Sequence, residues 1–210
     1  MTGIVNEKDI NDLILKDPLF GAIYAQHGAP PDWSRKPGFV TLCKLILEQQ
    51  VSLASAHAHF LKLSSYLDSF TPEKILSLSD DEMRSCQISR QKSGYLRNLS
   101  TAVLDKHIDL DQLHQLDEPE IRKRLTSLKG IGNWTTDVYL LFCLQRKDVF
   151  PIGDIAVVNT MKELTTAQTI EEMLVYAEQW RPYRSLATYF LWHYYLIKRN
   201  RTAPVQYTLL

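Results

Sequence analysis

The segment LKGIGNWTTDVYLLFCLQRKDVFPIGDI, residues 128–155, decides the fold class of this chain and its candidate site. Two glycines flank a single isoleucine, an amphipathic run follows, and a lone aspartate comes after Pro-Ile-Gly. The apolar spacing predicts helices over residues 118–127 and 133–145, which leaves a very short connection between them. Such a connection needs backbone conformations that are open mainly to glycine, so the segment predicts a helical hairpin.

This glycine hairpin, residues 129–132, has two interpretations. In the first it is a plain connection between helices, with Ile131 filling the gap between them. In the second it binds phosphate, because the first amides of a helix have no partner within that helix and glycines leave room for a phosphate oxygen. Such a site needs no net positive charge. The residues alone leave both interpretations open.

Helix start signals recur along the chain and predict an all-α fold. Thr71-Pro72 is typical of a helix start, and Ser79, Asp117 and Thr169 each stand three residues before a glutamate. The predicted helices cover residues 7–15, 18–27, 37–50, 52–66, 72–77, 80–86, 90–106, 118–127, 133–145, 154–164, 170–179 and 182–198. Residues 1–198 form one domain in this interpretation, and residues 199–210 form a C-terminal tail without periodicity.

The composition excludes several classes of protein. The 210 residues include 24 Lys plus Arg and 24 Asp plus Glu, so a formal net charge of zero argues against a strong electrostatic grip on polyanions. The three cysteines are far apart and have no metal-ligand or disulfide spacing, which predicts buried thiols. Residues 138–144 are the longest apolar run, too short for a bilayer, and the polar N-terminus does not resemble a signal peptide. We therefore expect a soluble intracellular protein.

The motifs resemble those of the helix-hairpin-helix DNA glycosylases, whose pattern is Leu-x-Gly-[Ile/Val]-Gly followed by a second helix. Asp154 falls where the carboxylate-bearing members have an aspartate. The resemblance covers residues 17–198, and its other segments are ILEQQVSLASA (46–56), SRQKSGYLRNLS (89–100), KDVFPIGD (147–154) and WRPYRSLATYFLW (180–192). The last two resemble the alkylbase branch, the 3-methyladenine DNA glycosylase II group. This implies two helical lobes flanking a DNA-binding cleft, one of residues 37–116 and one of residues 1–36 with 117–198.

The resemblance assigns the chemistry to Asp154. A carboxylate beneath the sugar stabilises the positive charge that develops when the base leaves, and it can orient or deprotonate the attacking water. An alkylated purine is already cationic and leaves readily, so one carboxylate can suffice. The residues also fit a second interpretation, in which Asp154 is the N-cap of the helix that follows. The two roles are compatible.

The absence of two family features implies a monofunctional hydrolase without cofactors. Bifunctional members carry a Schiff-base lysine in the second hairpin helix, where this chain has Trp134. Members with an iron-sulfur cluster have four cysteines near the C-terminus, and this chain has none after Cys143. The family hairpin can also hold a monovalent cation through its carbonyl groups, a point that the sequence leaves open.

The resemblance also implies a pocket for a flipped base. Trp134 and Trp192 stand where the alkylbase branch has pocket aromatics, and a cationic base is attracted to a tryptophan face. Tyr139 and His193 are further pocket candidates. The two tryptophans fit core packing equally well. Tyr139 is a weaker pocket candidate that fits core packing better, and His193 also fits a core or surface histidine. Gln50 holds the place of the residue that enters the base stack, where relatives often have leucine.

Further residues are expected to contact DNA or to serve the fold. The hairpin candidates for DNA binding are Lys129, Gly130, Ile131, Gly132, Asn133 and Thr135. The basic candidates for phosphate contacts are Arg90, Lys92, Lys129, Arg181 and Arg184, each of which also fits a solvated surface charge. Asp148 is expected in a loop and Asp137 on a solvent-facing helix position, neither as a catalyst.

These inferences together predict a DNA glycosylase of base excision repair that flips alkylated purines such as 3-methyladenine out of double-stranded DNA and hydrolyses their N-glycosidic bond. The alternatives are a glycosylase for deaminated or etheno bases and a non-catalytic helix-hairpin-helix DNA-binding protein. We expect a monomer with no membrane partner, in the cytoplasm of a bacterium in association with the nucleoid, or in the nucleus of a eukaryote.

Overall fold

A computed structural model describes residues 3–200 of the chain. Twelve α-helices occupy these residues: α1 Glu7–Lys16, α2 Pro18–His27, α3 Phe39–Glu48, α4 Leu53–Ser65, α5 Pro72–Ser77, α6 Asp80–Ser85, α7 Arg90–Leu104, α8 Glu118–Thr126, α9 Asn133–Phe142, α10 Ile155–Leu164, α11 Ile170–Ala177 and α12 Arg184–Lys198. Short 3-10 helices lie at Leu113–Gln115 and Glu178–Trp180, and no strand occurs within residues 3–200. The all-α prediction is confirmed.

The capping signals in the sequence form as expected. Ser79 and Thr169 each make a complete capping box with the glutamate three residues later. Asp117 accepts a hydrogen bond from the amide of Glu120, and Thr71 from that of Lys74. Since these caps fix where helices begin, all twelve predicted helices are present with ends that differ by at most three residues.

The described chain forms two compact units, which we call the terminal unit (residues 3–35 and 140–200) and the central unit (residues 36–139). The division falls within α9, between Tyr139 and Leu140. Residues 117–139 thus group with residues 36–116, whereas the sequence-based interpretation placed them with the chain termini. Contacts between the hairpin and the residues after α3, described below, account for this grouping. Of the predicted tail, residues 201–210 lie outside the described residues.

The core of the terminal unit is built around α12, which packs against α10, α2 and α1. Trp180 is fully buried between these helices and donates a hydrogen bond from its indole to Asp17, at 2.9 Å. Phe20 meets the Trp180 ring edge-on at 5.1 Å. This packing fixes the position of α10, whose first residues carry one of the candidate site groups.

The core of the central unit is built around α7 and α3. Helix α7 packs against α5, α3 and α6, and α3 is buried along almost its whole length. Tyr139 is fully buried at the end of this unit, and its hydroxyl accepts a hydrogen bond from the amide of Gly38 at 3.0 Å. The unit therefore has a core of its own.

Asp137 corrects one expectation from the sequence. It is only 6% exposed, not solvent-facing, and its carboxylate pairs with the Arg122 guanidinium at 2.6 Å. Burial raises the pKa of the Asp137 carboxyl, and the Arg122 pairing opposes that shift without cancelling it. The ion pair links α8 to α9 and so braces the hairpin between them.

None of the helices in residues 3–200 combines the length and apolar character that a bilayer-spanning segment requires.

Candidate functional site

Asp154 lies at the start of α10 with its carboxylate held by three donors. Its Oδ1 accepts hydrogen bonds from the amides of Ala156 at 2.9 Å and Val157 at 3.2 Å. The indole Nε1 of Trp192 donates to the same oxygen at 3.0 Å. Three donors on one oxygen fix the direction of the carboxylate, and the N-cap interpretation is confirmed. This capping role is compatible with a catalytic one.

The surroundings of Asp154 combine burial with an exposed rim. Asp154 itself is 9% exposed, whereas Gly153 and Ile155 on either side are exposed, Ile155 at 67%. A carboxylate in this position is shielded by protein along its capping edge while the adjacent backbone faces solvent.

Trp192 belongs to an aromatic cluster in the terminal unit. Its ring stacks on Phe142 with centroids 4.9 Å apart and an interplanar angle of 27°, and Trp33 lies 6.3 Å away. Tyr189 contacts both Phe142 and Trp33. Phe142 thus covers one face of the Trp192 ring, and the indole N–H of Trp192 donates to Asp154. Sequence reasoning identified Trp192 but neither its hydrogen bond nor the contribution of Trp33 and Phe142.

The two weaker pocket candidates occupy packed positions. Tyr139 is fully buried and bonded to the amide of Gly38, as described above. His193 is 9% exposed, and its Nε2 lies 3.1 Å from the carbonyl oxygen of His27 at the end of α2. Both placements are those of the core alternative. Trp134, by contrast, is half-buried in the first turn of α9.

The backbone conformation and packing of the glycine hairpin require glycine at residue 130. Gly130 has φ +101°, in the region that favours glycine. A Cβ at this position would lie 2.3 Å from Cγ of Tyr95 in α7, so the backbone packs directly against that ring. Ile131 is 3% exposed, as expected of the residue that fills the gap between the helices.

Gly132 differs from the expectation that both glycines serve the turn. Its φ is not in the left-handed region, and an added Cβ would meet no atom within 4 Å. The residue is exposed, as are Lys129 and Asn133. Gly132 is therefore not needed for the turn itself. Its lack of a side chain leaves the first turn of α9 open to solvent, and a phosphate site at these amides requires such access.

Gln49 is a site residue that sequence reasoning missed. Its side-chain Nε2 donates to the carbonyl of Gly130 at 2.8 Å and to the hydroxyl of Thr135 at 3.0 Å. Thr135 is 2% exposed, so it supports the hairpin from inside and does not lie at its surface. The only available signal was adjacency to Gln50, because nothing in the local sequence predicts a partner 81 residues away.

Gln50 is exposed and has φ +56°, an unusual conformation for a residue other than glycine. The turn that carries it follows α3 and is tied to the hairpin through Gln49. Lys92 supports the same turn, because its amine donates to the carbonyl of Leu47 at 2.7 Å. Burial lowers the pKa of the Lys92 amine. The turn that carries Gln50 is thus held by Gln49, which contacts the glycine hairpin, and by Lys92, which contacts the end of α3.

The basic candidates separate into three groups. Arg181 and Arg184 both pair with Asp148 and Glu178, so their charges are balanced within the terminal unit, and a phosphate contact by either stays a prediction. Asp148 lies in a loop, as expected. Lys92 holds the turn described above. Arg90 and Lys129 are exposed and form no ion pair within residues 3–200.

No group of three or more His, Cys, Asp and Glu side chains within residues 3–200 is arranged to hold a metal ion. Cys43, Cys86 and Cys143 are buried thiols, as their spacing predicted. The carbonyls of Leu128, Gly130 and Gly132 accept hydrogen bonds from Ile131, Gln49 and Thr136. A carbonyl oxygen with one such bond keeps a second lone pair, so a monovalent cation at the hairpin stays a prediction.

Comparison with known proteins matches one family. The model of the family described as "HhH-GPD superfamily base excision DNA repair protein" matches residues 43–185. The match includes the glycine hairpin and Asp154.

Curated relatives are similar to much of the chain. The DNA-3-methyladenine glycosylase 1 of Schizosaccharomyces pombe is 30% identical over 165 residues, which are 75% of this chain and 72% of the relative. The DNA-3-methyladenine glycosylase of Bacillus subtilis is 28% identical over 73% of this chain and 56% of its own length. The chain spans 63% of the length of a second Bacillus subtilis relative.

Solved structures share the fold. The Schizosaccharomyces pombe 3-methyladenine DNA glycosylase Mag1, solved in complex with abasic DNA, has a TM-score of 0.81 at 28% identity, over 88% of this chain and 95% of Mag1. The DNA-3-methyladenine glycosidase of Bacillus halodurans has a TM-score of 0.77 at 23% identity, over 95% and 94% of the two chains. The second likeness supports the fold alone.

The close packing at Gly130 yields a first prediction. Gly130→Ala should lower the free energy of unfolding by about 2–4 kcal/mol, because the methyl group collides with the Tyr95 ring and φ is unfavourable for alanine. Gly132→Ala is the matched control, and it should cost less than about 1 kcal/mol, since its methyl group meets open space. Chemical denaturation of both variants measures the difference. Equal stabilities would contradict the observed packing.

Proposed function

We propose that this chain, which belongs to the HhH-GPD superfamily of base excision DNA repair proteins, is a monofunctional DNA glycosylase that hydrolyses the N-glycosidic bond of alkylated purines such as 3-methyladenine. The observation that carries the proposal is the oriented carboxylate of Asp154, at the family's acidic position. The relatives named as 3-methyladenine glycosylases support the substrate class.

In this proposal Asp154 stabilises the positive charge that develops on the deoxyribose as the base departs. The same carboxylate orients the attacking water or takes a proton from it. Trp192 acts as a positioning residue, since its N–H fixes Oδ1 and its ring is immobilised by Phe142. The protein then needs no acid to protonate a leaving group that already carries positive charge.

DNA binding in this proposal uses the exposed first turn of α9. The amides after Gly132 receive a phosphate oxygen, and Lys129 adds a positive charge beside them. Gln50 enters the base stack from its exposed turn. Trp134 occupies the place of the Schiff-base lysine, so the proposed reaction passes through no covalent amine intermediate and nicks no strand.

Asp154→Asn tests the chemistry. Asparagine caps a helix as well as aspartate, so the variant should fold normally, while release of free 3-methyladenine from methylated DNA should fall about a hundredfold to ten-thousandfold. Chromatography of the released base measures this rate. Asp109→Asn is the control, because the Asp109 carboxylate likewise accepts two backbone amides, but in a loop of the central unit.

The same assay distinguishes the alternatives. If the wild-type protein binds DNA and releases no base, the chain is a non-catalytic DNA-binding protein. If it releases only hypoxanthine or 1,N6-ethenoadenine from a panel of defined lesions, the substrate class is wrong while the role of Asp154 stands.

Trp192→Phe tests the positioning role. Phenylalanine preserves stacking on Phe142 but cannot donate to Asp154, so kcat should fall about tenfold to a hundredfold with little change in KM. Trp33→Phe, which changes another indole of the same cluster, should leave kcat nearly unchanged. An unaltered kcat in folded Trp192→Phe would show that this hydrogen bond has no part in catalysis.

Borohydride trapping tests the monofunctional assignment. Wild-type protein incubated with abasic DNA and borohydride should give no covalent adduct, because the hairpin helix offers tryptophan in place of an amine at residue 134. Denaturing gel electrophoresis shows the result, with a bifunctional glycosylase as the positive control. A trapped adduct would overturn the assignment.

A further inference from the structure

A groove runs along one side of α7 in the central unit, beside the glycine hairpin. Its volume is about 660 Å³, and it is lined by Arg90, Gln91, Gly94, Tyr95, Arg97, Asn98, Thr101 and Lys129. Seven of these residues belong to α7 and recur at helical spacing, so they share one face of that helix. The eighth, Lys129, belongs to the hairpin.

The groove is positively charged within a chain of zero net charge. Three of its lining residues are cationic and none is acidic. Arg97 is held by Asp80 and by the carbonyls of Leu76 and Leu78, so its position is structural. Arg90 and Lys129 are exposed and make no ion pair within residues 3–200, which leaves two uncompensated positive charges.

Gly94 is the unusual residue of this groove. Glycine inside a helix is less stable than alanine, so its presence needs a reason. Its φ is not in the left-handed region, and an added Cβ would meet no atom within 4 Å, so neither the backbone nor packing explains it. Gly21 in α2 offers a contrast, since a Cβ there would lie 3.2 Å from Ile14. An exposed helical glycine with open space above it leaves room for the close approach of an external group.

The length and charge of the groove fit an extended anionic chain. From Arg90 to Thr101 the helix rises about 16 Å, longer than a single phosphate ion. The Gln91 amide donates to the Tyr95 hydroxyl at 2.6 Å, and the exposed amide of Asn98 adds hydrogen-bond donors between the charges. The Tyr95 ring forms a wall of the groove and also packs against Gly130, so the groove continues directly into the hairpin.

We propose that this groove binds a second segment of the DNA sugar-phosphate backbone, next to the phosphate at the hairpin amides. Arg90 contacts a phosphate of this segment, Gly94 admits the backbone close to the helix, and Lys129 lies where the groove meets the hairpin site. This site rests on the proposed function, which supplies DNA as the ligand. An acidic protein segment would also pair with these positive charges. The continuity of the groove with the hairpin phosphate site favours DNA, because one DNA strand would occupy both.

Variants at Arg90 and Gly94 test the groove without altering the hairpin. Binding to a fluorescent duplex with a tetrahydrofuran abasic analogue is measured by anisotropy over a salt series. Arg90→Gln should reduce the slope of log K against log salt by about 0.9 and weaken binding about fivefold at 0.15 M salt. Lys16→Gln, which removes an exposed lysine of α1, should not change either quantity beyond error.

Two substitutions of Gly94 separate binding from folding. Ala and Leu are both better helix formers than glycine, so both variants should raise the midpoint of thermal unfolding. DNA affinity should fall nonetheless, and more for Gly94→Leu than for Gly94→Ala, because the larger side chain fills the groove. Affinity that is unchanged in Gly94→Leu, or a slope that is unchanged in Arg90→Gln, overturns the proposal.

The outcomes also separate this proposal from the proposed function. If wild-type protein releases 3-methyladenine while the groove variants bind DNA normally, the groove proposal fails and the enzyme assignment stands. If the groove variants lose affinity but wild-type protein releases no base, the enzyme assignment fails alone. Groove-dependent binding of a polyglutamate peptide with no effect on DNA would assign an acidic protein partner and reject the DNA site.

Discussion

Helix α10 begins with amides that need an acceptor, and a single oxygen of Asp154 meets that need. The same oxygen receives the indole N–H of Trp192. A capping interaction that is ordinary in any helix therefore fixes the acidic group on which the proposed chemistry depends. The core of the terminal unit serves this arrangement, because α12 both packs against α10 and carries Trp192.

In the central unit, a small set of contacts likewise holds the glycine hairpin in place. Gly130 packs on Tyr95, Gln49 bonds the Gly130 carbonyl, and Arg122 pairs with Asp137 across the two hairpin helices. Each of these contacts joins the hairpin to a separate part of the unit or braces its two helices. The exposed first turn of α9 is thus presented by a rigid support, which limits the entropy lost when a ligand is bound there.

The sequence predicted the helices because their signals are local. Caps such as Ser79 with Glu82 act within one turn, and the hairpin is a four-residue feature. What it could not predict depends on distant partners. Gln49 acquires its role from a carbonyl 81 residues away, and Asp137 is buried because Arg122 reaches it from another helix. The sequence pattern attributed both glycines to the tight turn, but only Gly130 has a positive φ, and a residue pattern does not reveal φ.

In the proposed function Asp154 is both the helix cap and the reactive group, and this combination constrains how the chain can evolve. Most replacements would remove the helix cap along with the reactive group, so the lineage would lose stability at the moment it lost turnover. Asparagine is the replacement that keeps the cap and the side-chain shape. Serine also caps helices well, so a descendant that kept the fold and lost turnover would be expected to carry asparagine or serine at this position.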